Sequence, residues 1–161
     1  MTEFRKMRRF KQELSRCECD EVLSSEKRGV LCVNGEDGYP YGVPINYVYD
    51  EDSGRIYFHC AKEGHKLDGI RASSKVCFTV YEQGEQRGDW SYYVRSVVVF
   101  GRVRIIDDLF ESISHLRTLA EKYYPQDGSE DIEGDIAANS PRAVVLELEP
   151  ENVTGKLVHE K

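Results

Sequence analysis

The chain has 161 residues, of which 40% are hydrophobic and 32% are charged, and its formal net charge is −7. This length suits one domain around a single core, and the composition is that of an ordinary globular protein and does not indicate disorder. The negative charge argues against nonspecific nucleic-acid binding, because such binding depends on many Lys and Arg residues. It still permits a local positive pocket for one phosphorylated small molecule.

The sequence also carries information on compartment and metals. No apolar run approaches the ~20 residues of a membrane-spanning helix, and no apolar segment follows the basic residues near the N-terminus. We therefore expect a cytoplasmic protein of one domain, 1–161, whose five cysteines stay reduced. Cys17 and Cys19 are too close together for a usual zinc site and have no matching second pair, so no metal is expected.

The first part of the chain predicts a short helix and three strands. The helix lies around residues 19–25, where Asp20 and Glu21 suit the first turn. Apolar runs and alternation predict strands at 29–33, 39–49 and 55–59. Turns rich in Gly, Asp and Asn separate these strands, so we expect an antiparallel meander.

The middle of the chain predicts a helix and two further strands. The helix is expected at 64–73, and the strands at 75–82 and 92–106 with a polar loop between them. Gly101 interrupts the β-branched run of the second strand, which indicates a bulge or a sharp bend.

The last third contains the clearest helix, which begins after the capping residues Asp107 and Asp108 and ends at Pro125. Its apolar residues repeat at intervals of four and three and predict one buried stripe: Leu109, Ile113, Leu116, Ala120 and Tyr123. Residues 126–135 carry five acids and no base, which favours a solvated loop. With strands at 143–148 and 153–158, the pattern predicts a mostly β fold of six or seven antiparallel strands with inserted helices. A barrel is the natural way to close such a sheet.

The segment 59–70, HCAKEGHKLDGI, gathers imidazoles and amines where a strand turns into a helix. Gly64 lets the backbone turn and lets a ligand approach main-chain N–H groups. A helix that begins there offers an anion site, to which His65 and Lys66 add donors and charge. Small Ala61 leaves room, and the combination favours a phosphate monoester.

Two other interpretations of this segment stay open. His59, Cys60 and His65 are potential metal ligands, although residues 59 and 60 of one strand point to opposite faces. An ordinary strand-to-helix turn with incidental polar residues also explains the pattern.

Two further patterns carry weaker signals. Pro40 and Pro44 remove ladder donors from one strand, so this part should lie at an edge, a barrel mouth or a bulge, where Asn46 and the backbone can meet a flat heterocycle. Arg95 and Ser96 open an apolar strand and could donate to a phosphate. A bent barrel strand explains the first pattern equally well, and without context an exposed strand start is the favoured explanation of the second.

In this order and spacing, these elements resemble the flavin-binding split-barrel superfamily of the pyridoxamine 5′-phosphate oxidases, and within it the nitroimidazole-resistance (Nim-like) branch. The resemblance covers nearly the whole chain and rests on these motifs: GVL at 29–31, DGYPYGVPIN at 37–46, IYFHCA at 56–61 with GHK at 64–66, VCF at 76–78 and SVVVFG at 96–101.

The resemblance implies a six-stranded antiparallel split β-barrel that forms a homodimer, with two FMN sites, FAD in some members, at the subunit interface. His65, Lys66 and Ser96 match positions expected around the ribityl phosphate. The strand that borders the isoalloxazine corresponds to Val43, Pro44, Ile45 and Asn46.

His59 matches a position beside the substrate or flavin that has been proposed to take part in redox chemistry, so it is the candidate catalytic residue. Ala61, Arg95 and Val97 complete the candidate cofactor-binding set. Relatives often carry Tyr-x-Ser-Val before the long strand, whereas this chain has VRSV at 94–97, which leaves the role of Arg95 open.

Three functions are consistent with this resemblance. The first is a flavin-dependent oxidoreductase that passes electrons from NAD(P)H or another donor to a small acceptor such as a nitroaromatic. The second is a non-catalytic module that stores or senses flavin, or that binds haem through His59 or His65. A pyridoxamine 5′-phosphate oxidase proper is less favoured, because the chain lacks the longer Arg-rich C-terminal part associated with that activity.

Overall fold

A computed structural model describes residues 3–160 and shows a mostly β protein. Its α-helices are α1 (Arg16–Ser25), α2 (His65–Ala72), α3 (Leu109–Tyr123) and α4 (Ser129–Asn139). Its strands are β1 (Arg28–Asn34), β2 (Pro40–Asn46), β3 (Val48–Asp50), β4 (Arg55–Ala61), β5 (Lys75–Tyr81), β6 (Glu85–Gln86), β7 (Tyr92–Ile106) and β8 (Ala143–Glu160). Across residues 3–160, no helix has the length and apolar character of a membrane span.

The strands form one antiparallel sheet in the order β2-β1-β5-β7-β8-β4-β3, and the two-residue β6 pairs with β7. The sheet curls until its edge strand β2 approaches β4, which gives the expected split barrel. The main path has seven strands rather than six. The two strands predicted at 143–148 and 153–158 are one strand, β8, while the strand predicted at 39–49 is divided into β2 and β3.

Tyr47 causes the break between β2 and β3. Its backbone N–H donates to the Tyr123 hydroxyl at 2.8 Å instead of to a neighbouring strand, and its own hydroxyl donates to the Leu23 carbonyl at 2.8 Å. The side chain is fully buried, and its ring packs edge-on against Phe78 with centroids 5.0 Å apart. Tertiary contacts therefore end the strand at a residue whose β-propensity would continue it.

The predicted bulge at Gly101 is confirmed, because the β7–β8 register shifts between Phe100 and Gly101. A Cβ atom at position 101 would overlap the Glu149 carbonyl oxygen, so only glycine fits. The cap of α3 is also confirmed, since the Asp108 side chain accepts a hydrogen bond from the Glu111 N–H at 2.8 Å.

Three predicted elements differ from the structure. Most of α4 lies in the segment 126–135, which was predicted as a loop. Glu130 and Asp131 lie in the first turn of this helix, where the helix dipole favours acids, and its residue Ile136 is buried. The first helix begins at Arg16 rather than near residue 19, since Ser15 forms a capping box with Glu18.

The third difference concerns the buried face of α3. Leu109 is 59% exposed, whereas Leu119 is 3% exposed and packs with Val145 and Ile106. Phe110, in the same first turn of α3, is exposed as well. The helix therefore contacts the sheet through Leu116, Leu119 and Tyr123.

Candidate functional site

The edge strand β2 and the strand β4 meet at a surface depression of about 310 Å³. It is lined by Arg28, Pro44, Ile45, Asn46 and His59. Pro44 is exposed and lies on the outermost strand, where a residue without an N–H is tolerated. The curl of the sheet thus brings together two segments that are separate in sequence.

The amide of Asn46 has a defined orientation in this depression. Arg28 lies directly across the β1–β2 ladder, and its Nε atom donates to Asn46 Oδ1 at 3.1 Å. With its oxygen held by Arg28, the amide directs its NH₂ group, a donor of two hydrogen bonds, away from the arginine. Val43 and Ile45 turn their side chains towards the core, so their contribution to a ligand would come from the backbone.

His59 is exposed on β4 at the edge of this depression. The surrounding protein lowers the pKa of its imidazole by desolvation, and the positive charge of Lys66 lowers this pKa further. His59 is therefore neutral at pH 7 and can accept or donate a hydrogen bond. Ala61, two residues further along β4, is also exposed and keeps the surface open.

The start of α2 forms a second polar region on the same side of the barrel. Gly64 precedes the helix with φ +131°, a backbone conformation that glycine adopts without strain, and its carbonyl accepts from the N–H groups of Leu67 and Asp68. The N–H groups of His65 and Lys66 lie in the first turn, where an α-helix has no acceptor for them. The ring of His65 stacks on Tyr41 with centroids 4.1 Å apart.

These two regions lie along one edge of the molecule. Asn46 and Tyr41 are five residues apart on β2, which corresponds to roughly 17 Å of extended chain. The end at Asn46 presents an amide beside His59, the end at Tyr41 carries the stacked ring of His65, and the charge of Lys66 acts on His59. The arrangement suits a ligand that carries both a flat polar group, to lie beside Asn46, and an anion, to lie beside Lys66.

Arg95, Ser96 and Val97 occupy a different part of the barrel. The Arg95 guanidinium donates to Glu82 at 2.6 Å and to Glu21 at 2.8 Å, and these hydrogen bonds raise its pKa. Val97 is completely buried. Ser96 pairs with Tyr81, the last residue of β5. Helix α2 packs through Gly69 against Val33 and Asn34, which lie at the other end of the antiparallel β1–β5 pair.

One chain therefore does not bring these three residues to the start of α2. Arg95 is already held by two carboxylates. The side chain of Val97 is buried, so only its backbone could contact a ligand, and that backbone lies in β7 between β5 and β8. Ser96 as a phosphate ligand stays a prediction that requires a second copy of the chain.

A second cavity, of about 220 Å³, lies between α3, α4 and the sheet and shares Asn46 and His59 with the depression. Its floor is apolar, and Asp135, Asn139 and Ser140 contribute polar groups. Sequence reasoning missed this cavity because its α4 wall was predicted as loop. The apolar residues Ile132 and Ile136, four positions apart, were the available signal for that helix.

Tyr123 anchors α3 beside the cavity. Its hydroxyl receives the Tyr47 N–H and lies 2.9 Å from the Tyr47 carbonyl, and it also donates to the Lys27 carbonyl. The neighbouring Lys122 donates from Nζ to the Glu26 carbonyl at 2.7 Å. These bonds fix the helix against the segments on either side of β1 and β2.

Comparison with known proteins identifies similar sequences and folds. The model of the pyridoxamine 5′-phosphate oxidase family matches residues 15–157. No significant match is found among curated proteins.

Three solved structures illustrate the fold. A candidate 5-nitroimidazole antibiotic resistance protein of Bacteroides thetaiotaomicron shares 21% identity, with a TM-score of 0.75 over 92% of this chain and 87% of that protein. An FAD-binding protein of Mesorhizobium loti shares 26% identity, with a TM-score of 0.65 over 91% of this chain and 97% of the other. A conserved hypothetical protein of Mycobacterium tuberculosis shares 16% identity, with a TM-score of 0.80 over 94% and 90%.

Proposed function

Because the chain belongs to the pyridoxamine 5′-phosphate oxidase family, we propose that it is a cytoplasmic flavin-binding oxidoreductase that works as a homodimer. The observation that carries this proposal is the depression in which the β2 segment Pro44, Ile45 and Asn46 faces His59 of β4. The 26% identity to an FAD-binding protein over nearly the full length of both chains adds support.

The donor set of the site fits a flavin nucleotide. The outer edge of β2 offers backbone groups, and the Asn46 amide offers donors, to the polar edge of an isoalloxazine ring. The start of α2 offers N–H groups together with His65 and Lys66 to a phosphate. The edge strand β2 is roughly 17 Å long between Tyr41 and Asn46, which offers room for a ligand longer than a compact anion.

A bound flavin would supply the redox chemistry, accepting a hydride from NAD(P)H and passing two electrons to a small acceptor. The chain itself binds and orients. Asn46 and the β2 backbone hold the ring edge, and Lys66 neutralises the phosphate. Reduction of an acceptor by one hydride requires one further proton, which neutral His59 is placed to relay from solvent.

In the proposed homodimer, Ser96 of one chain could contact a phosphate bound at α2 of the other chain. Ser96 lies at the end of the sheet remote from α2, so it can reach a phosphate only on a second copy. FMN is the proposed cofactor, and FAD is the alternative that the Mesorhizobium loti relative favours. NAD(P)H is the proposed donor, and a nitroaromatic is one candidate acceptor.

The deciding experiment is an absorption spectrum of the undenatured purified protein, followed by identification of the molecule that heat releases. If the protein binds flavin, its spectrum should show the two absorption bands of a flavin, and heat should release FMN or FAD. A Soret band would instead indicate haem binding, and a colourless protein that ignores added FMN and FAD would refute flavin binding. Anaerobic mixing with NAD(P)H, and then with a nitroaromatic, separates an oxidoreductase from a protein that only stores flavin.

The phosphate contacts have their own test. Lys66→Ala should weaken flavin affinity about tenfold or more, because a charge-assisted hydrogen bond is lost. Ser96→Ala should weaken it about fivefold. Lys11→Ala, at an exposed lysine outside the site, serves as the control. If both site variants hold flavin as tightly as the wild type, the phosphate assignment is wrong even though the protein is a flavoprotein.

A further inference from the structure

The cavity between α3 and α4 is too small for the flavin itself. Its volume of about 220 Å³ is below the roughly 300–1,000 Å³ of pockets for drug-sized ligands, and a flavin has three fused rings. The depression along β2 is the more open of the two and follows the strand. A molecule in the cavity would therefore be a second, smaller one, of about one aromatic ring.

The cavity is connected to the proposed flavin site by two residues. Asn46 and His59 line both spaces. A ring inside the cavity would lie beside the same imidazole that faces the β2 depression. This position suits the partner in electron transfer, and the inference accordingly rests on the proposed function.

The walls of the cavity restrict what it can hold. Leu116, Leu119 and Ile136 give it an apolar floor that suits the face of a ring. Asp135 is the one charged side chain among its lining residues, apart from the titratable His59, and Lys and Arg do not occur in that lining. The pKa of His59 is lowered, so this imidazole adds no positive charge at neutral pH.

Asp135 is held in place at the rim. The Asn139 Nδ2 atom donates to Asp135 Oδ1 at 2.8 Å, which leaves the second carboxylate oxygen for a ligand. The segment 126–135 carries five acidic residues, of which Glu133 is paired with Arg117, so it adds negative charge near the cavity and disfavours anions there. A hydrogen-bond donor or a cation on the ring would meet Asp135, whereas a carboxylate or phosphate would be repelled.

We propose that the cavity between α3 and α4 is the acceptor-binding pocket, and that Asp135 selects neutral or cationic single-ring molecules over anionic ones. Pyridoxamine 5′-phosphate, the substrate in the family's name, falls on the disfavoured side. Its phosphate would enter a cavity whose lining supplies a carboxylate and no fixed cation.

Three isosteric probes test this selection: benzamidine (cationic), benzamide (neutral) and benzoate (anionic). Binding is measured on the flavin-loaded protein by thermal shift and by perturbation of the visible flavin spectrum. We expect benzamidine to bind more tightly than benzamide and benzamide more tightly than benzoate. Each bound probe should alter the flavin spectrum, because the cavity shares His59 with the flavin site.

Two variants separate charge from space. Asp135→Asn retains an oxygen for the Asn139 hydrogen bond and should reduce the preference for benzamidine over benzoate about three- to fivefold, as expected for an exposed charge pair. Ala120→Phe should fill the cavity and abolish binding of all three probes without loss of flavin. Glu130→Gln, on the same helix but outside the lining, should behave as the wild type.

The probe measurements can fail separately for the acceptor pocket and for flavin binding. Equal affinity for the three probes in a flavin-loaded protein, or unchanged binding in Ala120→Phe, would overturn the pocket assignment while flavin binding stands. Probe binding that shifts the melting temperature but leaves the flavin spectrum unchanged would also overturn it. A protein that takes up no flavin would overturn the acceptor role together with the proposed function.

Discussion

Arg28 and Asn46 face each other across the β1–β2 ladder, and the Arg28 Nε atom donates to Asn46 Oδ1 at 3.1 Å. The bond ties the one side-chain amide of the β2 depression to the adjacent strand. Its geometry depends on strand register, which sequence spacing alone does not specify.

Removing this bond should weaken ligand binding rather than the fold. We expect Arg28→Ala to raise the flavin dissociation constant about fivefold, because the loss of one hydrogen bond costs about 1 kcal/mol. Fluorescence titration of the flavin-free protein measures the change. Arg102→Ala, which removes an exposed arginine paired with Glu151 on another part of the sheet, is the matched control. Equal affinities in the two variants would show that the Asn46 orientation does not matter for binding.

The imidazole of His59 should report on Lys66 without any flavin present. Partial desolvation by the surrounding protein lowers its pKa most and the charge of Lys66 lowers it second, so Lys66→Met should raise this pKa part of the way towards its ordinary value. An NMR titration of the His59 ring protons measures it, and His59→Gln identifies the resonances. In Lys11→Met the titration should match the wild type. A pKa of His59 that is unchanged in Lys66→Met would place the ammonium too far away to act on the ring.

Lys122 should give the protein a stability that increases with pH. Burial lowers its pKa to about 8, whereas a lysine in an unfolded chain titrates near 10.4. Between these values the unfolded chain binds more protons than the folded one, so the free energy of unfolding rises as pH increases through this window. Well below pH 8, Lys122 is protonated in both the folded and the unfolded chain, so its contribution to the free energy of unfolding no longer changes with pH.

The comparison with Lys122→Met isolates this contribution, because the buried tyrosines and cysteines titrate in both proteins. Urea denaturation at several pH values should show that wild type gains stability relative to the variant between about pH 8 and pH 10. A stability difference that is constant over this range would mean that Lys122 titrates at its ordinary value when folded.

Glycine at the β7 bulge should be required for stability. A Cβ at Gly101 would overlap the Glu149 carbonyl, so we expect Gly101→Ala to lower the free energy of unfolding by about 2 kcal/mol. Gly134 lies inside α4 with open space around its Cβ position, so Gly134→Ala should instead raise it by about 0.5–1 kcal/mol. Urea denaturation of both variants would contradict this account if the two changes had the same sign.

Much of the fold follows from local patterns in the sequence. The bounds of β7, the bulge at Gly101 and the cap of α3 by Asp108 are all visible as apolar runs, a glycine and an acid at fixed positions. Each depends on residues close to one another in the chain, because hydrophobic period and turn chemistry are local properties. The β2 segment and the His59–Lys66 segment stand out for the same reason.

What only the tertiary structure decided is which of these elements meet. The break at Tyr47 depends on Tyr123, the ion pairs of Arg95 depend on Glu21 and Glu82, and the cavity beside His59 depends on α4. All of these partners are distant in sequence, so no local pattern contains them. The site exists because the sheet curls far enough to bring β2 to β4, and that curl is set by packing across the barrel core rather than by any one strand.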